Sequence, residues 1–355
     1  MSKHLHGHPF VSRQFLLLVS CFCLLTHPLF SQNIHFTQFF TNPLTLNPAH
    51  TGYYDGNYRV GFNFKAQWPW AIAGTVYNYH TESPYVDFSF GEKKIKTGWM
   101  GLGFNFVNDE AGDGRLTYRR FSLSYAYHQA FDKEHRYVLS AGVQLNYILR
   151  SVDFSKFYFN NQWLEDEGFN TSVPSNEPLK REAFAMVDVG AGINFGAQVH
   201  SKVKLDFGFS MLHLNRPKHT FFGSTERLGF RYQADAGVLI QAGDAVSLAV
   251  NAYYGHEKKA SEIILGALAG YSISTGRNNR PDHTIYMGTY YRIKDALAPT
   301  VGYQFRKTRL LVSYDVTLSK LASASQSNGG PEISLVHVGS WQKAFGGKKV
   351  YCPMF

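Results

Sequence analysis

The chain has 355 residues, 44% of them hydrophobic, with 22 Tyr, 29 Phe and 32 Gly and a formal charge of +9. Only 17% of the residues are charged, which is low for a soluble domain, yet after residue 31 no run reaches the roughly 18 to 20 apolar residues of a spanning helix. These figures exclude a helical membrane protein, and they exclude a nucleic-acid binder because the basic residues are scattered along polar positions and form neither a stripe nor a motif.

Residues 1–31 read as an export signal. Lys3 and Arg13 supply positive charge, Phe15 to Leu25 an apolar core, and Ser31 a small residue before Gln32. Cys21 follows Leu18-Val19-Ser20 as in a lipoprotein cleavage box, but cutting there would leave apolar Phe22 to Leu25 on the mature chain, so processing after Ser31 is expected. His4, His6 and His8 leave with the leader and give no metal site. Cys352 is then the single cysteine, so an exported chain without an internal disulfide must be stabilised by strand closure.

Residues 32–56 differ from everything after them. They are aromatic and punctuated by Asn42-Pro43 and Asn47-Pro48, and proline cannot donate to a β-ladder, so this stretch does not form an ordinary strand. Phe36, Phe39, Phe40, Leu44 and Leu46 are nevertheless too apolar for a solvated tail. The segment is expected to be ordered, docked either in the mouth of the following domain or on a partner.

From Tyr58 the sequence alternates strictly, with Tyr58, Val60, Phe62 and Phe64 on one face and Arg59, Gly61, Asn63 and Lys65 on the other. The clearest case is 137–150, where Tyr137, Leu139, Val143, Leu145 and Tyr147 oppose Ser140, Gly142, Gln144 and Asn146. Such segments recur to Trp341, one of them between about 72 and 90 and interrupted at Pro84, giving about 14 of the length a tilted membrane strand needs. An aromatic-ended apolar face opposite a polar one fits a strand between lipid and a wet lumen. Arg at Leu145 should then be harmful and Arg at Gln144 mild. A soluble sandwich shows the same alternation, but the leader, the aromatic strand ends and the strand length oppose it.

Connection lengths agree. If the first strand runs outward, the long connections 151–182, 214–227 and 319–331 face outside, and the tight ones near Lys133, His200, Gly243 and Lys307 face inside. The connection at 273–282 is longer than that rule wants. In the longest outer connection, Asp153, Phe154 and Trp163 belong to an aromatic stretch that either recognises a partner or packs over the barrel mouth.

Chemistry-bearing patterns are weak. Asn108 to Gly114 gathers three carboxylates, but EF-hand spacing is absent and the stretch reads as a glycine-bearing hairpin turn. The sequence carries no nucleophile elbow, HExxH or phosphate loop, and His213 and Asp206, an odd number of residues apart, should face opposite sides of a strand. No enzyme activity, cofactor or metal ligand is expected. The positive charge suits lipopolysaccharide phosphates or an acidic partner.

Several stretches together resemble the PorP/SprF family of type IX secretion system outer-membrane proteins of Bacteroidetes: HFTQFFTNPLTLNPAHTG at 35–52, NDEAGDGRL at 108–116, SVDFSKFYFNNQW at 151–163, HLNRP at 213–217, PTVGYQFRKTRLLVSYD at 299–315, NGGPEISLVH at 328–337 and YCPMF at 351–355. The resemblance implies a cell-surface barrel that works with the type IX secretion or gliding motility machinery, some members holding secreted adhesins. Family members often end in Cys-Pro, a basic residue and Phe; here Met354 takes the third place.

The expectation is an all-β, transmembrane antiparallel β-barrel of about 14 strands in the outer membrane. It is divided into a signal peptide (1–31), a periplasmic or plug segment (32–56), the barrel (57–345) and a tail (346–355). It would bind a type IX secretion component or the C-terminal domain of a secreted adhesin, besides outer-membrane lipid and lipopolysaccharide, and no nucleic acid. The alternative is a channel or transporter for a small or hydrophobic solute. Phe36, Phe39, Phe40, Asn42, Pro43, Asn47, Pro48, Asp153, Phe154, Trp163, Cys352 and Phe355 are the candidate partner-binding residues.

Overall fold

The computed structural model describes residues 36–341 apart from 70–78, 93–94, 96, 113, 178–181, 222–224 and 276–280. The leader, Cys352 and Phe355 lie outside the described residues. In chain order the strands are β1 (Tyr58–Gln67), β2 (Tyr79–Phe90), β3 (Gly98–Ala111), β4 (Leu116–Ala130), β5 (Tyr137–Ser151), β6 (Trp163–Leu164), β7 (Gly168–Phe169) and β8 (Ala183–His200). They continue with β9 (Val203–Leu212), β10 (Arg231–Gln241), β11 (Val246–Glu257), β12 (Ala260–Thr275), β13 (Pro281–Arg292), β14 (Ala296–Phe305), β15 (Thr308–Thr317) and β16 (Asn328–Gly339). All except β6 and β7 form one closed antiparallel barrel of 14 strands, each paired with its neighbours and β1 paired with β16 from Tyr58↔Gly339 to Lys65↔Glu332. β6 and β7 make a small hairpin of their own within the longest connection.

Side-chain alternation sets the register. In β5, Leu139, Val143, Leu145 and Tyr147 are exposed on the outer surface while Ser140, Gly142, Gln144 and Asn146 are buried inside. A slip by one residue would turn the whole apolar set inward. Aromatic residues collect toward the two ends of the outer surface, among them Phe131, Tyr137, Tyr271 and Trp341 at one end and Tyr147, Tyr254 and Tyr291 toward the other, as in the interfacial girdles of outer-membrane barrels.

The connections sort by end. Those at 152–182, 213–230 and 318–327 open at one end, whereas residues 201–202 and 306–307 turn in two at the other end, where Tyr58 and Gly339 also lie. The long-loop end is the outer one by the same rule. At 273–282 the strands run further than the sequence suggests, to Thr275 and from Pro281, with register shifts around Ser274. Pro84 does not interrupt β2. Pairing with β3 steps from Glu82↔Asn108 to Tyr85↔Asn105, so that ladder skips Ser83 and Pro84, the latter without an N–H, while both still pair with β1.

One expectation is overturned: the inner face is not wet. Arg59, Asn63, Lys65, Asp87 and Glu332 are no more than 1% exposed, because residues 36–57 lie inside the barrel against them.

Closure of the ladder predicts a heat-modifiable protein, migrating differently on a denaturing gel before and after boiling. Leu145 is 52% exposed on the lipid-facing surface, so Leu145→Arg should cost roughly 2–4 kcal/mol, read as an earlier loss of the folded band in a urea titration.

Candidate functional site

The segment fills the lumen as a series of short turns, the last two started by proline. A 3-10 turn at Phe39–Thr41, a single α-helical turn at Pro43–Leu46 and a second 3-10 turn at Pro48–His50 follow one another. Pro43 and Pro48 sit at first-turn positions, where a missing N–H is harmless, and the Asn47 side chain accepts from Ala49 N at 2.9 Å. Turns this short leave backbone groups unpaired, and the barrel wall supplies their partners.

Near the outer end the first anchor is ionic. Glu332 of β16 accepts hydrogen bonds from the backbone N–H groups of Thr37 (2.8 Å) and Gln38 (2.7 Å). Asp315 of β15 accepts from Thr37 Oγ1 at 2.9 Å and pairs with Lys65 Nζ at 3.1 Å and Arg292 Nη2 at 3.0 Å. Two carboxylates and two cations from four strands thus share one end of the segment, a geometry in which buried charge is compensated on every side.

The middle is held by neutral donors and aromatic packing. Tyr85 donates to Thr41 O (2.7 Å), Gln144 Nε2 to Leu44 O (2.9 Å) and Ser210 Oγ to Leu46 O (2.9 Å), while Asn42 Nδ2 donates to Ser83 Oγ at 2.6 Å. Phe39 and Phe40 pack on Tyr253 and Tyr290 with ring centroids 5.4 and 5.1 Å apart respectively. Each of the large side chains Phe36, Phe39, Phe40, Leu44 and Leu46, all buried, contributes about 1.5–3 kcal/mol if fully covered on folding. Gly101 and Gly142 face inward at closest approach: a Cβ there would overlap the backbone of Thr51 and of Pro48.

The inner anchor is the tightest. Arg59 of β1 donates from Nε to Asp87 Oδ1 (2.9 Å) and from Nη2 to Asp87 Oδ2 (2.7 Å), a bidentate pair with no side-chain exposure. Asp87 also accepts from Gly52 N at 2.7 Å, and Arg59 reaches His50 O at 3.1 Å. Trp99 donates from Nε1 to Gly52 O at 2.9 Å and stacks on His128 at 4.7 Å. His50 lies beside Asp235, its Nε2 3.1 Å from Oδ2.

The structure therefore brings Phe36, Phe39, Phe40, Asn42, Pro43, Asn47 and Pro48 together in the lumen, all buried against the wall. It places Asp153, Phe154 and Trp163 apart from them at the outer rim. There Phe154 contacts Phe221 (6.2 Å) and Trp163, 56% exposed, packs on Phe169 of the small hairpin (4.8 Å). The carboxylates near 108–114 diverge: Asp109 accepts from Thr81 and Glu110 faces Arg119, with Gly112 at φ +69° making the turn. His213 and Asp206 do not face opposite sides as their spacing suggests. β9 ends at Leu212, and His213, at φ +61°, breaks the alternation and turns inward to Asp188 at 2.9 Å. Sequence reasoning missed Arg59, Asp87, Asp315, Glu332 and Arg292, although charges at inward positions of membrane strands were a readable signal.

This geometry defines an outer-membrane β-barrel whose lumen is occupied by its own N-terminal segment. A family model described as type IX secretion system membrane protein PorP/SprF matches residues 29–336, and the chain belongs to that family. Among curated proteins none matches the chain. Similar solved structures include the toluene transporter TbuX of Ralstonia pickettii (11% identity, 82% of this chain and 90% of that one, TM-score 0.48) and a FadL homologue of Pseudomonas aeruginosa (11%, 82% and 91%, 0.47). A deltaS2 mutant of the monoaromatic hydrocarbon channel TodX is 9% identical over 83% of this chain and 93% of that one, with a TM-score of 0.50. At such identity that likeness speaks to the barrel fold alone.

Removing one member of the inner pair should be costly: Arg59→Ala leaves Asp87 buried without its cation and is expected to lose about 3–5 kcal/mol, seen as a lower temperature for the gel shift. Gln144→Arg is revised from mild to harmful, because Gln144 is buried and donates to Leu44 O. It should loosen the segment while the barrel still forms. A cysteine placed at half-buried Thr45 in a Cys352→Ser background would then react faster with a hydrophilic thiol reagent in Gln144→Arg than in its parent.

Proposed function

We propose that this chain is a non-enzymatic, partner-binding barrel of the type IX secretion and gliding machinery, one that holds a translocon subunit or the C-terminal domain of a secreted adhesin at the cell surface. The observation that carries this reading is the occupied lumen. A segment hydrogen-bonded at both ends to members of buried wall ion pairs, and along its length to wall side chains, leaves the rims as working surfaces rather than a solute path.

The outer rim supplies a surface suited to a protein. Tyr158 and Phe169 lie 5.2 Å apart and Trp163 packs on the same ring. Tyr158 is 63% exposed, and Glu165, Asp166 and Glu167 are exposed beside the hairpin. Rigid exposed aromatics beside carboxylates favour a partner presenting apolar and basic groups. Asp153 accepts from Ser155 N at 3.0 Å and starts the turn that leads into this loop.

The test has two arms. Tyr158→Ala, Trp163→Ala and Phe169→Ala combined should abolish retention of type IX secretion components or secreted adhesin on the purified barrel, with the heat-modifiable band unchanged. The wild-type barrel should give no steady conductance in planar bilayers. Steady ion flow, together with full retention by the triple variant, would overturn the reading in favour of a channel.

A further inference from the structure

Beneath the inner anchor, three side chains that the family assignment leaves without a role converge between the segment and the wall. Asp206 of β9 and Asp235 of β10 point into the lumen against His50. One donor atom from each of the three lies within 4.8 Å of the others, and the three residues are 0%, 5% and 0% exposed for Asp206, Asp235 and His50. Asp206 Oδ1, Asp235 Oδ1 and His50 Nδ1 are buried with no hydrogen-bond partner. A buried carboxylate oxygen without a donor is costly, and here two occur on adjacent strands facing one imidazole. Arg59, which reaches the His50 carbonyl, is already committed to Asp87 by two hydrogen bonds.

The surroundings are built to aim these groups. Asn194 Nδ2 donates to Asp206 Oδ2 at 3.2 Å, and the Tyr53 hydroxyl hydrogen-bonds the same carboxylate. Gly208 stands opposite Asp235 in the ladder, and a Cβ on it would overlap the Asp235 carboxylate, so glycine is what lets that group lie over β9 toward Asp206. Supporting donors that fix ligand orientation are the outer shell that metal sites require.

We propose that His50, Asp206 and Asp235 bind a first-row divalent cation, of which Zn2+ is the probe, and that the ion clamps the lumen segment to β9 and β10. One imidazole and two carboxylates suit Zn2+ and its neighbours, whereas Ca2+ and Mg2+ take shells of oxygen alone. Ligands about 2.1 Å from a tetrahedral ion stand roughly 3.4 Å from one another, so drawing the three groups inward from within 4.8 Å would seat the ion on three protein ligands and leave its fourth position to water. The ion would supply the positive charge that the unpartnered oxygens lack. It would also join residues 185 apart in sequence, His50 and Asp235.

The full-length barrel, stripped with a chelator in detergent and then titrated with Zn2+ alone, tests this directly. The expected result is uptake of about one ion per chain with a rise in the temperature of the gel shift, and a much weaker response to Ca2+. Asp235→Asn and His50→Gln should each weaken Zn2+ binding by more than the roughly 10–100-fold that loss of an outer-shell partner costs. Asp235→Asn preserves shape, so it decides the matter if His50→Gln fails to fold. Folded wild-type barrel that takes up no Zn2+, or that binds it no more tightly than Asp235→Asn, would overturn the proposal.

Discussion

In hydrocarbon every backbone N–H and C=O must find a partner within the protein, and that constraint organises the molecule. Fourteen strands meet it by closing on themselves, β1 against β16. Closure at that strand number creates a second problem, since the diameter grows with the number of strands and the inward side chains no longer fill the space they surround. Residues 36–57 answer it. Their short turns present carbonyls and amides outward, and Gln144, Ser210, Tyr85, Asp87 and Glu332 are the wall groups that satisfy them.

The barrel's polar face is therefore a binding surface for its own chain. In an open pore the inward Arg, Lys, Asp and Glu residues would be hydrated and individually expendable. With water displaced, each charge depends on a specific counter-charge, so Arg59 with Asp87 and Lys65 with Asp315 and Glu332 stand or fall together. The same dependence separates the interior from the rim, where the aromatic loop around Trp163 is exposed.

Much of the wall was legible in the sequence. The period of two in 137–150 fixes which side of β5 meets lipid, and loop parity fixes which end is outward, because both follow from local geometry. That residues 32–56 are ordered and could dock at the barrel mouth was legible from their apolar content, but how deep they reach was not: alternation says that Gln144 points inward but not whether it meets water or Leu44 O. His213 was misread because one left-handed residue ends the alternation on which face assignment rests. The cluster of His50, Asp206 and Asp235 has no spacing signature, since its members come from a turn and two separate strands and meet only once the segment is inside. The inward charges were the missed opportunity, for Arg59 and Lys65 were plainly placed on the polar side of β1.

The outer anchor bears on how the barrel is made. Thr37 and Gln38 grip Glu332 on the last strand, and Lys65 on the first strand joins the same cluster. These are the two strands whose pairing zips the cylinder shut. Contacts spanning 295 residues carry the loop-closure cost that slows folding, and here that cost falls on the same strands that seal the seam. The segment has the place of a mandrel, with the first and last staves meeting over its tip.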